Sequence, residues 1–127
     1  MLMARAFKII HRGEVYWLSY QFAHEAAMGT PAKARPVLVI SAERENINRR
    51  YPTVVVAPIS ALKPGTKRYV TDLWVTAEES GLPEDSRLLL VQIQPHLKDD
   101  LGDYLLTLPS GVMKQVDAVL ASNMGII

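Results

Sequence analysis

Arg35-Pro36-Val37-Leu38-Val39-Ile40-Ser41 is the stretch on which the fold of this chain turns. An unbroken run of branched aliphatics between a proline and a serine is a buried β-strand. Pro36 fixes its own φ, has no backbone donor and pushes Arg35 toward the extended region, so it reads as the first residue of that strand. Arg35 is then held at a strand mouth. Upstream, Arg12-Gly13-Glu14-Val15-Tyr16-Trp17 reads as a tight turn at Gly13 running into a strand with bulky side chains on both faces.

Working outward, β-branched and aromatic enrichment bounded by Gly, Pro and polar clusters places strands near Glu14 to Tyr20, Pro36 to Ala42, Thr53 to Ser60, Val70 to Thr76, Arg87 to Ile93 and Asp103 to Leu108. A closing helix is expected from Ser110, as N-cap, to Gly125, with Val112, Val116, Val119, Leu120 and Met124 on one face. Short helical turns are expected at Glu78 to Gly81 and Lys98 to Leu101. Many short strands and one amphipathic helix imply a mainly β (α+β) chain, built as a small antiparallel β-barrel. Residues 1–127 read as a single domain. Gln21 to Ala34 shows no periodic pattern, and a loop of that length is functional or mobile.

At 127 residues and 49% hydrophobic, the chain buries a core without disulfide or metal staples. The absence of cysteine excludes thiolate nucleophiles and cysteine-ligated zinc, and fits a reducing compartment. His11, His24 and His96 are scattered and form no metal motif. The apolar runs Val54 to Ile59 and Leu88 to Val91 are too short to span a bilayer, and Arg5, Lys8 and Arg12 interrupt any leader core. A soluble, cytoplasmic protein is expected. The net charge of +1 hides a split: residues 1–70 carry eleven Lys and Arg against four acids, or +7, and residues 71–127 carry three against nine, or −6. The basic residues gather in loops, Arg44, Arg49 and Arg50 in one and Lys63, Lys67 and Arg68 in another, as on a phosphate-backbone surface.

Taken in order with Asn48-Arg49, Val54-Val55-Val56-Ala57-Pro58-Ile59-Ser60, Gly81-Leu82-Pro83-Glu84-Asp85-Ser86, Leu90-Val91-Gln92-Ile93 and the helix around Met113 to Met124, these stretches resemble the MazF/PemK family of toxin endoribonucleases. The resemblance runs from Arg12 to the C-terminus. It implies the barrel shared by MazF/PemK and CcdB toxins, a homodimer, a single-stranded RNA substrate, no cofactor, and a cognate antitoxin. The charge split adds that the antitoxin carries an acidic, disordered tail laid across the basic half.

Within that resemblance, Arg35 is the phosphate clamp, a planar fork with five donors. Read from its residues alone, it would be paired to a carboxylate at a strand end. Ser60 stands where the family has a threonine beside that arginine, and keeps the hydroxyl donor. His24-Glu25 matches the family's His-Glu step, offering an acid or base and a partner for Arg35, although Ala23 and Ala26 replace its usual flanks and the stretch to Arg35 is longer. Lys33, Arg49, Arg50, Lys67, Arg68 and Gln92 are the RNA-contacting candidates. Leu89 and Val91 replace further acid-base residues of PemK, and His96 reads as a surface histidine. Two alternatives stand beside the nuclease: a CcdB-like poison of DNA gyrase with the same fold, and a barrel that only binds other proteins.

Overall fold

The computed structural model describes residues 9–127, so Arg5 and Lys8 lie outside the described residues. The elements run β1 (Glu14–Tyr20), α1 (Ala23–Ala27), β2 (Lys33–Val39), α2 (Glu43–Asn46), β3 (Thr53–Ala61), β4 (Leu73–Val75), α3 (Ala77–Ser80), β5 (Ser86–Leu88), β6 (Gln94–Leu97), β7 (Tyr104–Thr107) and α4 (Ser110–Asn123). A 3-10 turn at Lys98–Asp100 links β6 to β7. All pairings are antiparallel, in the order β4-β5-β3-β2-β1-β7, with β6 also on β3.

Strand β3 is the axis of the curl. One edge pairs with β2 through Val56, Ala57 and Pro58; the other pairs with β6 over Thr53 to Val56 and with β5 over Ile59 to Ala61. Pro58 sits at the changeover, where it has no N–H to give and its carbonyl accepts from Leu89 N–H at 2.9 Å. Of the expected strand Arg87 to Ile93 only Arg87 and Leu88 are extended, in β5; a turn closed by Gln92 N–H on the Leu89 carbonyl, 3.1 Å, follows, and the next strand, β6, begins only at Gln94.

Side-chain parity sorts the sheet into two cores. Val15, Leu38 and Ala57, aligned across β1, β2 and β3, join one apolar cluster with Ile59, Leu88, Leu90 and the helix residues Val112 and Val116. Their neighbours Tyr16, Leu18, Val37, Val39 and Val56 face the other cluster, with Ile10 and Leu101. The turn at Gly13 is as read from the sequence: φ is +94°, and its N–H donates to the Val39 carbonyl at 2.9 Å.

Several boundaries depart from the sequence reading. Gln21 to Ala34 is not structureless, since its alanines, strong helix formers without periodicity, build α1, and β2 begins at Lys33. Pro36 lies inside β2, tolerated because pairing with β3 starts only at Val37 and leaves that edge of Pro36 open. Arg35 is thus a strand residue opposite Leu18 rather than a strand mouth. In α4 the N-cap is Pro109, with Ser110 the first helical residue, and Met124 is the C-cap and 55% exposed. No helix among the described residues is long and apolar enough to cross a membrane.

Candidate active site

The site grows from the parity of β2. Val39 and Val37 point into the second core, and the next residue of that phase is Arg35, which carries a cation to the core's rim. Its guanidinium lies 5.0 Å from the Tyr20 ring centroid and 4.6 Å from that of Phe22. Nη2 donates to both Glu25 carboxylate oxygens at 2.7 Å, and the two side chains are only 16% and 13% exposed. Glu25 also accepts the Phe22 N–H at 3.0 Å, so one carboxylate holds both the first turn of α1 and the arginine. The Arg35 hydrogen bond, then the Phe22 amide, hold its pKa below the ordinary glutamate value. Among the described residues Arg35 Nη1 and the Tyr20 hydroxyl are buried without a hydrogen bond of good geometry; the nearby guanidinium pulls the Tyr20 pKa down, and burial outweighs it and pushes the pKa up.

A second strand brings the hydroxyl. The β2–β3 register pairs Val37 with Pro58, and carrying it two residues past the end of the ladder sets Arg35 opposite Ser60. On its other side Ser60 pairs with Arg87 of β5, which pairs in turn with Trp74. Arg35, Ser60 and Arg87 therefore come from three successive strands, β2, β3 and β5. These three, with Tyr20, Phe22, His24, Glu25, Lys63, Leu89 and Gln92, line one cavity of about 680 Å³. Arg35, Lys63 and Arg87 against Glu25 leave it cationic, suited to a phosphodiester. Among the described residues no three His, Asp or Glu side chains converge as metal ligands.

A profile described as the PemK-like, MazF-like toxin of type II toxin-antitoxin systems matches residues 11–124. The chain belongs to that family. Endoribonuclease MazF2 of Mycobacterium bovis is 32% identical over 114 residues, covering 86% of this chain and 91% of the relative. Among solved structures, an endoribonuclease from a mycobacterial species superposes with a TM-score of 0.71 at 21% identity, over 95% of this chain and 96% of that one. Another mycobacterial endoribonuclease, in complex with its cognate antitoxin, gives 0.69 at 22% identity over 91% and 95%. The expected toxin barrel is thus borne out as a curled antiparallel sheet with a C-terminal helix, and the CcdB alternative is not favoured.

In this MazF/PemK toxin the residues read as catalytic, Arg35, Ser60, His24 and Glu25, meet in the one cavity, and Gln92 joins them. The His24 ring stacks on Phe22, 5.7 Å away and inclined by 13°. Lys33, Arg49, Arg50, Lys67 and Arg68 do not line the cavity. Lys33 is exposed opposite Tyr20 at the start of β2, Arg49 and Arg50 follow α2, and Lys67 and Arg68 lie over the rings of Tyr69 and Trp74 at 5.6 and 5.1 Å. His96 is not a surface histidine: its pairing with Val54 half-buries it, and burial lowers its pKa. Sequence reasoning missed Arg87 as a site residue. The available signal was a charged residue in an otherwise apolar strand, Ser-Arg-Leu-Leu-Leu.

Proposed function

We propose that this MazF-type toxin endoribonuclease cuts single-stranded mRNA at selected sequences without a metal ion. The observation that supports this is the juxtaposition of a buried Arg35 with an uncommitted Nη1, the Ser60 hydroxyl and His24 in one cationic cavity. A ribose 2′-oxygen attacks the adjacent phosphorus, its proton passing to the His24 imidazole. The bond from phosphorus to the 5′-oxygen breaks, and that oxygen takes up a proton from solvent, leaving a 2′,3′-cyclic phosphate and a 5′-hydroxyl. Arg35 and Ser60 donate to the non-bridging oxygens where charge builds in the pentavalent transition state. Glu25 aims Arg35 and does not serve as the base, because its depressed pKa makes it a weak proton acceptor. The 127 residues form one domain that works as a homodimer in the cytoplasm, for which exposed apolar side chains such as Trp17, Val91 and Tyr104 leave contact surface. An antitoxin with an acidic tail silences it.

The test is incubation of purified protein with a long RNA and EDTA, followed by mapping of the new 5′ ends. Cleavage at a recurring motif, with ends that need phosphorylation before ligation, is the expected result. Activity lost to EDTA and restored by magnesium would overturn the mechanism. A parallel gyrase supercoiling assay is expected to show no inhibition.

A further inference from the structure

Four buried side-chain polar atoms lack a hydrogen-bond partner among the described residues: Tyr20 Oη, Arg35 Nη1, Trp74 Nε1 and Arg87 Nε. Buried donors are ordinarily satisfied, so a cluster of them calls for an explanation. Tyr20, Arg35 and Arg87 all line the cavity, and Trp74 is the cross-strand neighbour of Arg87. Each carries a hydrogen to donate, which is what an anionic group rich in acceptors would satisfy.

We propose that Arg87 is a second catalytic guanidinium, which contacts the transferred phosphate from the side of Ser60 opposite Arg35. The inference deepens the nuclease reading and rests on it. Ser60 pairs with Arg87 on one edge of β3, and β2, which carries Arg35, lies along the other, its ladder ending two residues short at Val37 and Pro58. Both arginines and the serine line the same cavity. Such a group adds positive charge where negative charge builds: Arg35 is already paired with Glu25, and the pentavalent phosphorus carries one negative charge more than the diester. Lys63, the other cation of the cavity, is exposed on the loop after β3, while Arg87 is rooted in β5.

The one carboxylate near Arg87 holds it loosely. Asp72 Oδ2 is 3.9 Å from Nη1, beyond hydrogen-bonding distance, and its side chain is 6% exposed. Burial raises the Asp72 pKa against the opposing pull of Arg87. Glu25 grips Arg35 through two contacts of 2.7 Å. One arginine is fixed for aim and the other is left free to bind.

The experiment compares wild type, Arg87→Gln and Arg87→Ala on an RNA oligonucleotide carrying the mapped cleavage motif, reading kcat, KM and melting temperature. A wild-type protein that fails to cut RNA would overturn the nuclease reading itself, separately from the role of Arg87. With an active wild type, Arg87→Gln is expected to lower kcat on the order of a hundred-fold or more, the loss typical of one transition-state donor. Arg87→Ala is expected to regain activity with millimolar methylguanidinium, which leaves wild type unaffected. A kcat within threefold of wild type in Arg87→Gln would overturn the proposal. So would a loss that follows the melting temperature and resists methylguanidinium, since that marks a structural arginine.

Discussion

Arg35→Lys keeps the charge and removes the fork, and the geometry predicts what that costs. In wild type the labour is divided: Nη2 serves Glu25 with two contacts of 2.7 Å, while Nη1 is buried and uncommitted. A lysine has one nitrogen for both tasks, and two carboxylate oxygens hold it. The donor lost is therefore the one facing the phosphate, worth about 2.7–4 kcal/mol of transition-state stabilisation, or roughly a hundred- to a thousand-fold in kcat. Stability should change far less. An ammonium still lies over the Tyr20 and Phe22 rings and keeps most of that contact, so the loss stays within about 0.5–1 kcal/mol, a fall of at most roughly 2–5 °C in melting temperature for a domain of this size. The assay is kcat at saturating oligonucleotide, with a thermal melt on the same preparation. A kcat within tenfold of wild type would refute the division of labour. Adding Glu25→Gln should return part of the activity to Arg35→Lys by releasing the ammonium, although the same change on wild type should lower it.

Ser60→Thr should retain most of the cleavage rate and Ser60→Ala should lose at least tenfold, because only the hydroxyl is needed; wild-type rates in Ser60→Ala would remove the residue from the site. Glu25 has a depressed pKa, so its stabilising pair with Arg35 is complete above the unfolded glutamate value of about 4.3 and is lost as pH falls through the lower folded value. Melting temperatures of Glu25→Gln and wild type should accordingly differ at neutral pH and converge below about pH 4, and a constant gap down to pH 2 would contradict the linkage. A Cβ added at Gly102 would stand 2.9 Å from the Trp17 backbone carbonyl oxygen, which already accepts the Gly102 N–H at 2.6 Å. Gly102→Ala should therefore lower the melting temperature by several degrees, and an unchanged melt would show that β1 shifts freely there.

The sequence carried the local signals well and the distant ones poorly. The bounds of β1 were legible, since its aromatics and aliphatics mark it throughout. Arg35 and Ser60 were legible through family resemblance, and their meeting needs only the register of two neighbouring strands. The reading of Arg35 as a carboxylate-paired arginine proved compatible with a catalytic role, because its two terminal nitrogens do different things. Strand β6 was hidden by its content, Gln-Pro-His-Leu, and by the bend at Pro58 that splits its partner's edge. Arg87 was hidden because its significance comes from β3 and β4 lying on either side of it, a contact no local pattern encodes.

The excursion between β1 and β2 leaves at Tyr20 and returns at Lys33, which pair with each other. The face of the sheet on which Arg35 stands is set by its parity with Val37, two residues downstream, while Glu25 in the excursion only holds the guanidinium. The chain can therefore gain or lose residues at Met28 to Ala32, a stretch that is exposed except for Thr30, without rotating the guanidinium or separating it from Glu25. One residue inserted between Arg35 and Val37 would instead swing the arginine to the far side of the sheet. Length is free to drift on one side of Arg35 and frozen on the other.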